Sequence, residues 1–119
     1  DAYDQKRTFS IPAGQLFLGQ GVALTAEGQA HLSQIARFVH AVPCKIVIGE
    51  LAPSSDLLRK AGGSDQGLLR SWVIMQFLTQ QQGVDPNRFC LAATQPLPED
   101  YFQDQALLQV SLLAMDFTR

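Results

Sequence analysis

Residues 64–89 read Ser-Asp-Gln-Gly-Leu-Leu-Arg-Ser-Trp-Val-Ile-Met-Gln-Phe-Leu-Thr-Gln-Gln-Gln-Gly-Val-Asp-Pro-Asn-Arg-Phe. The stretch predicts one amphipathic helix with both ends marked. Ser64 or Asp65 is placed to cap the first free N–H groups. Leu69, Val73, Phe77 and Leu78, with Trp72, Ile74 and Met75 around them, recur at helical spacing and predict a broad apolar face toward a core. Gly83 is the expected left-handed stop, and Pro86 cannot resume the helix. Arg70 stands near the front of this helix and is the first candidate for a ligand contact. Trp72 reads as a core or rim side chain rather than a stacking platform.

Upstream, Thr8-Phe9-Ser10-Ile11 alternates and predicts a short strand ended by Pro12. Ala13-Gly14 turns the chain, Leu16-Phe17-Leu18 is an apolar clip, and Gly19-Gln20-Gly21 is a loop. Thr25 is an N-cap with Glu27 in the first turn. Leu32, Ile35, Ala36 and Val39 then predict a helix over 26–41, ended by Pro43. His31 and His40 fall on or near its solvated side. Lys45-Ile46-Val47-Ile48-Gly49 reads as an interior strand. Glu50 to Gly63 reads as a long loop with one helical turn at 55–60. Arg88 to Ala93 gives a third strand and Thr94 to Asp104 a loop. Leu107 to Phe117 gives a last strand, with Gln109 and Ser111 outward. The order β-α-β-α-β-β predicts an α/β (α+β) two-layer sandwich, a mixed four-stranded sheet with two helices on one face. Residues 8–119 form one domain behind a polar lead-in at 1–7.

Composition narrows the function. The chain has 119 residues, 46% hydrophobic and 17% charged, with net charge −2, which describes a globular domain. The charge argues against a nucleic-acid binder, which would show a basic face, and against adsorption to acidic lipid. No apolar run approaches a membrane span or a secretory signal. The start without Met leads to the expectation of a mature fragment, attached to a membrane only through an upstream anchor. Cys44 and Cys90 lie beside or within apolar runs and read as buried thiols, with a single disulfide the alternative. No spacing supports a zinc site, other metal or cofactor. Ser54 and Ser55 have no His partner. Ala61-Gly62-Gly63-Ser64 lacks the Lys of a phosphate loop, and no nucleophile elbow occurs, so no enzyme is expected.

Four segments together resemble a known family. Leu16-Phe17 with Gly19, Gly21 and Leu24-Thr25 resembles its opening motif "LF..G.A.L". Ile46, Ile48 and Gly49 resemble "I.I.GHTD". Arg70-Ser71, Ile74 and Phe77-Leu78 resemble "RA..V..YL". Gly83-Val84-Asp85-Pro86-Asn87-Arg88 resembles "GVDP.R". Over about residues 8–115 the chain is similar to the OmpA/MotB C-terminal, peptidoglycan-associating domain. The resemblance implies a non-catalytic periplasmic domain of the bacterial cell envelope. It also implies non-covalent capture of the diaminopimelate-containing stem peptide between the Asp of "GHTD" and the Arg of "RA", and often a homodimer.

The site motif is degenerate. Aligned on Gly49, "HTD" becomes Glu50-Leu51-Ala52, so the acid partner of Arg70 is replaced by Ala52. "LS" before the Arg becomes Gln66-Gly67, and "NRR" before the last strand becomes Gln105-Ala106-Leu107. Losing one partner of a desolvated charge pair costs about 2–5 kcal/mol, roughly 30-fold to several thousand-fold in affinity. Two readings stay open. In one, wall binding is weakened or lost and the domain serves protein–protein assembly, with Leu51, Leu57, Leu58, Leu107 and Leu108 as a contact patch; the plain alternative for these leucines, Leu107 and Leu108 above all, is core. In the other, peptidoglycan is still bound through a rearranged site at Arg70, with Glu50 or Asp56 supplying the carboxylate; the plain alternative is that Arg70 merely pairs with Asp65 or Asp56 on the surface.

Overall fold

The computed structural model describes residues 6–19, 21–52, 66–97 and 106–114. The elements are β1 (Lys6–Pro12), α1 (Ala13–Leu16), α2 (Ala26–Ala41), β2 (Cys44–Ala52) and α3 (Gln66–Gln80). A 3-10 turn (Pro86–Arg88), β3 (Phe89–Leu91), β4 (Gln95–Pro96) and β5 (Leu107–Ala114) complete them. One mixed sheet runs β1-β5-β2-β3, with β4 also on β2. β5 pairs antiparallel with both β1 and β2, whereas β3 and β4 lie parallel to β2.

β2 organises the sheet. Its residues alternate strictly: Cys44, Ile46, Ile48, Glu50 and Ala52 are buried, and the residues between them are not. Cross-strand neighbours share a face, so Ile46 opposite Leu112 and Ile48 opposite Val110 build the inner layer. Gln109 and Ser111, opposite Gly49 and Val47, fall on the other face. Leu32, Ile35, Ala36 and Val39 of α2 and Ile74 and Leu78 of α3 join the same core. Both long helices therefore cover one side of the sheet.

Local chemistry sets the boundaries. Thr25 Oγ1 accepts from Gly28 N at 2.8 Å and donates to Gln15 O at 3.1 Å. It caps α2 and ties it to α1. Gly83 follows α3 with φ +72°, a conformation that costs little without a Cβ. Arg88 then staples the opposite end of the domain. Its Nη2 donates to Val39 O (3.0 Å) and Val42 O (3.2 Å), and its Nε donates to Cys44 O (3.0 Å). It takes up the Val39 carbonyl left free in the last turn of α2 and the Val42 carbonyl just beyond it, while Val42 N donates to Phe38 O.

Several expectations are corrected. β1 begins at Lys6, within the predicted lead-in, and Ala13–Leu16 is a helical turn rather than a plain reversal. β2 continues through Glu50 to Ala52, so Glu50 belongs to a strand and not to a loop. The sheet has a fifth strand, because Gln95–Pro96 pairs with Leu51–Ala52. Of the two readings of Leu107 and Leu108, contact patch or core, the structure shows core. Cys90 is exposed while Cys44 is buried, and both are free thiols. On α3 the apolar pattern misplaced Leu69, which is 47% exposed; Trp72, read as core or rim, is 41% exposed. Ser64 and Asp65, Leu57 and Leu58, the turn at 55–60 and the end of the last strand at 115–117 lie outside the described residues.

Candidate functional site

Period two along β2 carries Glu50 to the helix-covered face, two residues beyond Ile48. On α3, Gly67, Arg70, Ser71, Ile74 and Leu78 form one stripe at spacings of three and four and are all buried. The stripe lies against β2, so the guanidinium of Arg70 arrives over the Glu50 carboxylate.

Arg70 Nη1 donates to Glu50 Oε2 at 2.9 Å. The two side chains are only 7% and 1% exposed. Arg70 Nε donates to Gly21 O at 3.0 Å, and its guanidinium carbon stands 5.2 Å from the ring centre of Phe17. The cation is thus held by a carboxylate, a backbone carbonyl and an aromatic ring. A buried guanidinium needs such partners to offset its lost hydration.

Gly67 makes the approach of helix and strand possible. A Cβ at this position would collide with Thr94 Oγ1 and lie 2.6 Å from Glu50 Oε1. Ser71 turns its hydroxyl back to Gly67 O at 3.0 Å, so its buried polar group is satisfied within α3. Glu50 Oε1 is buried and has no hydrogen-bond partner among the described residues.

Of the four residues singled out in the sequence, the structure brings Arg70 and Glu50 together. Asp56 and Asp65 lie outside the described residues. Phe17, Gly21 and Gly67 were not singled out as site residues. The first two sit in the opening motif, and Gly67 replaces the Ser before the Arg, which was the available signal. Among the described residues no group of three His, Cys, Asp or Glu side chains is placed to hold a metal. His31 lies 3.8 Å from Glu27 on the surface of α2. His40 Nε2 donates to Gln82 O at 2.8 Å. Both are remote in sequence and role from the Arg70 pocket.

No family model and no curated protein matches the chain. Solved structures do share its fold. The periplasmic domain of Helicobacter pylori MotB aligns over 95% of this chain and 86% of its own, at TM-score 0.72 and 17% identity. The cell wall anchor of the type VI secretion system (T6SS) from Pseudomonas aeruginosa aligns over 92% and 82%, at TM-score 0.71 and 15% identity. The OmpA-like domain of FopA1 from Francisella tularensis aligns over 93% and 77%, at TM-score 0.60 and 11% identity. At these identities the likeness is one of fold.

Proposed function

From an OmpA/MotB-like domain as premise, we propose a non-catalytic periplasmic module of the cell envelope whose grip on peptidoglycan is weakened or lost and which acts in protein–protein assembly. One observation carries this reading: the guanidinium of Arg70 is already closed on Glu50 in a buried pair. A stem-peptide carboxylate would have to part that pair and leave Glu50 buried without its cation. Such a loss costs about 3–5 kcal/mol, roughly two to four powers of ten in affinity. The basic pair expected before the last strand is absent as well, since that position reads Gln105-Ala106-Leu107.

An assembly role is supported by α3. Leu68, Leu69 and Trp72 present an exposed apolar strip where a helix of this amphipathicity would ordinarily be polar. Envelope attachment would run through an upstream segment, and the partner is either another envelope protein or a second copy of the chain.

Co-sedimentation of the domain with purified sacculi, alongside Arg70→Ala, tests the proposal. The expected result is background sedimentation for both proteins. Strong sedimentation that Arg70→Ala abolishes would overturn it. One feature favours the second reading, retained wall binding: Glu50 Oε1, beside a cation, has no hydrogen-bond partner among the described residues. In that case Glu50→Gln as well as Arg70→Ala would reduce sedimentation.

A further inference from the structure

We propose that the open edge of β1 is a docking strand for an extended, carboxylate-bearing segment of another envelope protein, which joins the sheet as a further strand. The inference rests on the assembly reading above and gives it a surface and a partner chemistry.

The hydrogen-bond parity of β1 identifies the open groups. In antiparallel pairing, directly opposite residues alternate between exchanging hydrogen bonds and exchanging none. Ala13 N donates to Ala106 O at 2.8 Å, one step beyond Pro12 opposite Leu107. Ile11, Phe9 and Arg7 are therefore the residues bonded to Leu108, Val110 and Leu112. Lys6, Thr8 and Ser10 turn both N–H and C=O away from β5. Pro12 turns its nitrogen the same way, where a missing N–H costs the ladder nothing. β1 ends the strand order β1-β5-β2-β3, so no described strand receives these backbone groups. The opposite margin, β3, has three residues, whereas β1 has seven. A long edge left open is a template for strand addition.

The helix-side flank of this edge specifies the partner. Phe9 and Phe38 lie with ring centres 5.5 Å apart, and the Arg7 guanidinium carbon stands 4.9 Å from the centre of the Phe38 ring. Arg7 is exposed, and Phe38 is 42% exposed. The ion pairs among the described residues are His31–Glu27 and Arg70–Glu50, so Arg7 takes no carboxylate from them. Alternate side chains of an added strand point to this flank. There they meet the aromatic pair beside Phe9 and the cation of Arg7, which a carboxylate complements across the strands. A second copy of the chain would bring another Arg7 to the same flank, like charge against like.

The test titrates the domain with the probe peptide acetyl-Thr-Val-Thr-Val-Thr-Glu-Thr-amide and follows backbone amide exchange by NMR. Both Val residues and the Glu share one face of this peptide, with the Glu opposite Arg7 in antiparallel register. In the free domain the Thr8 and Ser10 amides are expected to exchange about 100-fold faster than those of Phe9 and Ile11. Peptide near saturation is expected to slow Thr8 and Ser10 about tenfold. Replacing the peptide Glu by Lys is expected to weaken binding about fivefold, and the domain variant Arg7→Glu to reverse that preference. Equal binding of the two peptides, or no slowing of Thr8 and Ser10 at millimolar peptide, would overturn the proposal. Slowing that grows with domain concentration alone would also overturn it, by giving the edge to a second copy. Strong Arg70-dependent sedimentation with sacculi would instead overturn the assembly reading, whatever the peptides do.

Discussion

Helices α2 and α3 pack side by side on the same sheet face, yet they meet it differently. Every buried position of α2 is glycine or apolar: Gly28, Leu32, Ile35, Ala36 and Val39. Its hydrophobic period and its buried stripe coincide. The buried stripe of α3 contains Arg70 and Ser71, while Leu68, Leu69 and Trp72 face outward. An apolar helix has thus been turned so that a cation is inside and hydrophobic surface is outside. A sequence that breaks the inside-outside rule at one place marks that place as special, and here the exception coincides with the Arg70–Glu50 pair.

The contrast can be broken by substitution. The largest effect belongs to Arg70→Ala, which strands the Glu50 carboxylate. About 3–5 kcal/mol of stability should be lost, read by chemical denaturation. Leu32→Ala probes the ordinary core under α2 and should cost about 3 kcal/mol. If Arg70→Ala proved the milder of the two, α3 would be packing on the sheet as α2 does. Gly67→Ala drives a methyl toward Thr94 and Glu50 and should cost about 2 kcal/mol. Its high-resolution structure should show the Glu50 carboxylate displaced. The smallest effect is expected from Leu69→Ala on the outer side of α3, within about 0.5 kcal/mol by the same measurement. A loss near that of Leu32→Ala would return Leu69 to the core, where its spacing placed it.

Much of the scaffold was legible because short-range rules and tertiary packing agree there. α2 occupies 26–41 as its caps and period predict, and Gly83 takes the left-handed turn assigned to it. The order of elements predicted a sheet with two long helices on one face. The missing fifth strand is two residues long and includes Pro96, so it carries no periodic signal and exists only by pairing with the end of β2. Cys90 lies in a β-rich run, but β3 has three residues at the sheet margin and leaves its side chain exposed.

The site was half legible. Arg70 stood out as a charge near the front of an apolar helix. Glu50 looked like the start of a loop because a carboxylate seldom belongs on the inner face of a strand. The parity of Ile46 and Ile48 already pointed to residue 50, and extending that alternation would have placed it under α3. Nothing in local sequence shows that Leu69 and Trp72 face out. The orientation follows from the buried stripe Gly67, Arg70, Ser71, Ile74 and Leu78, which sets Arg70 on Glu50, Gly21 O and Phe17.

A double-mutant cycle of Glu50→Ala and Arg70→Ala, followed by equilibrium denaturation, tests most directly whether the two side chains hold each other. Coupling of about 2 kcal/mol or more is the expected result, with the double variant far less destabilised than the sum of the singles. Additivity within about 0.5 kcal/mol would contradict it and leave Arg70 free to grip a ligand.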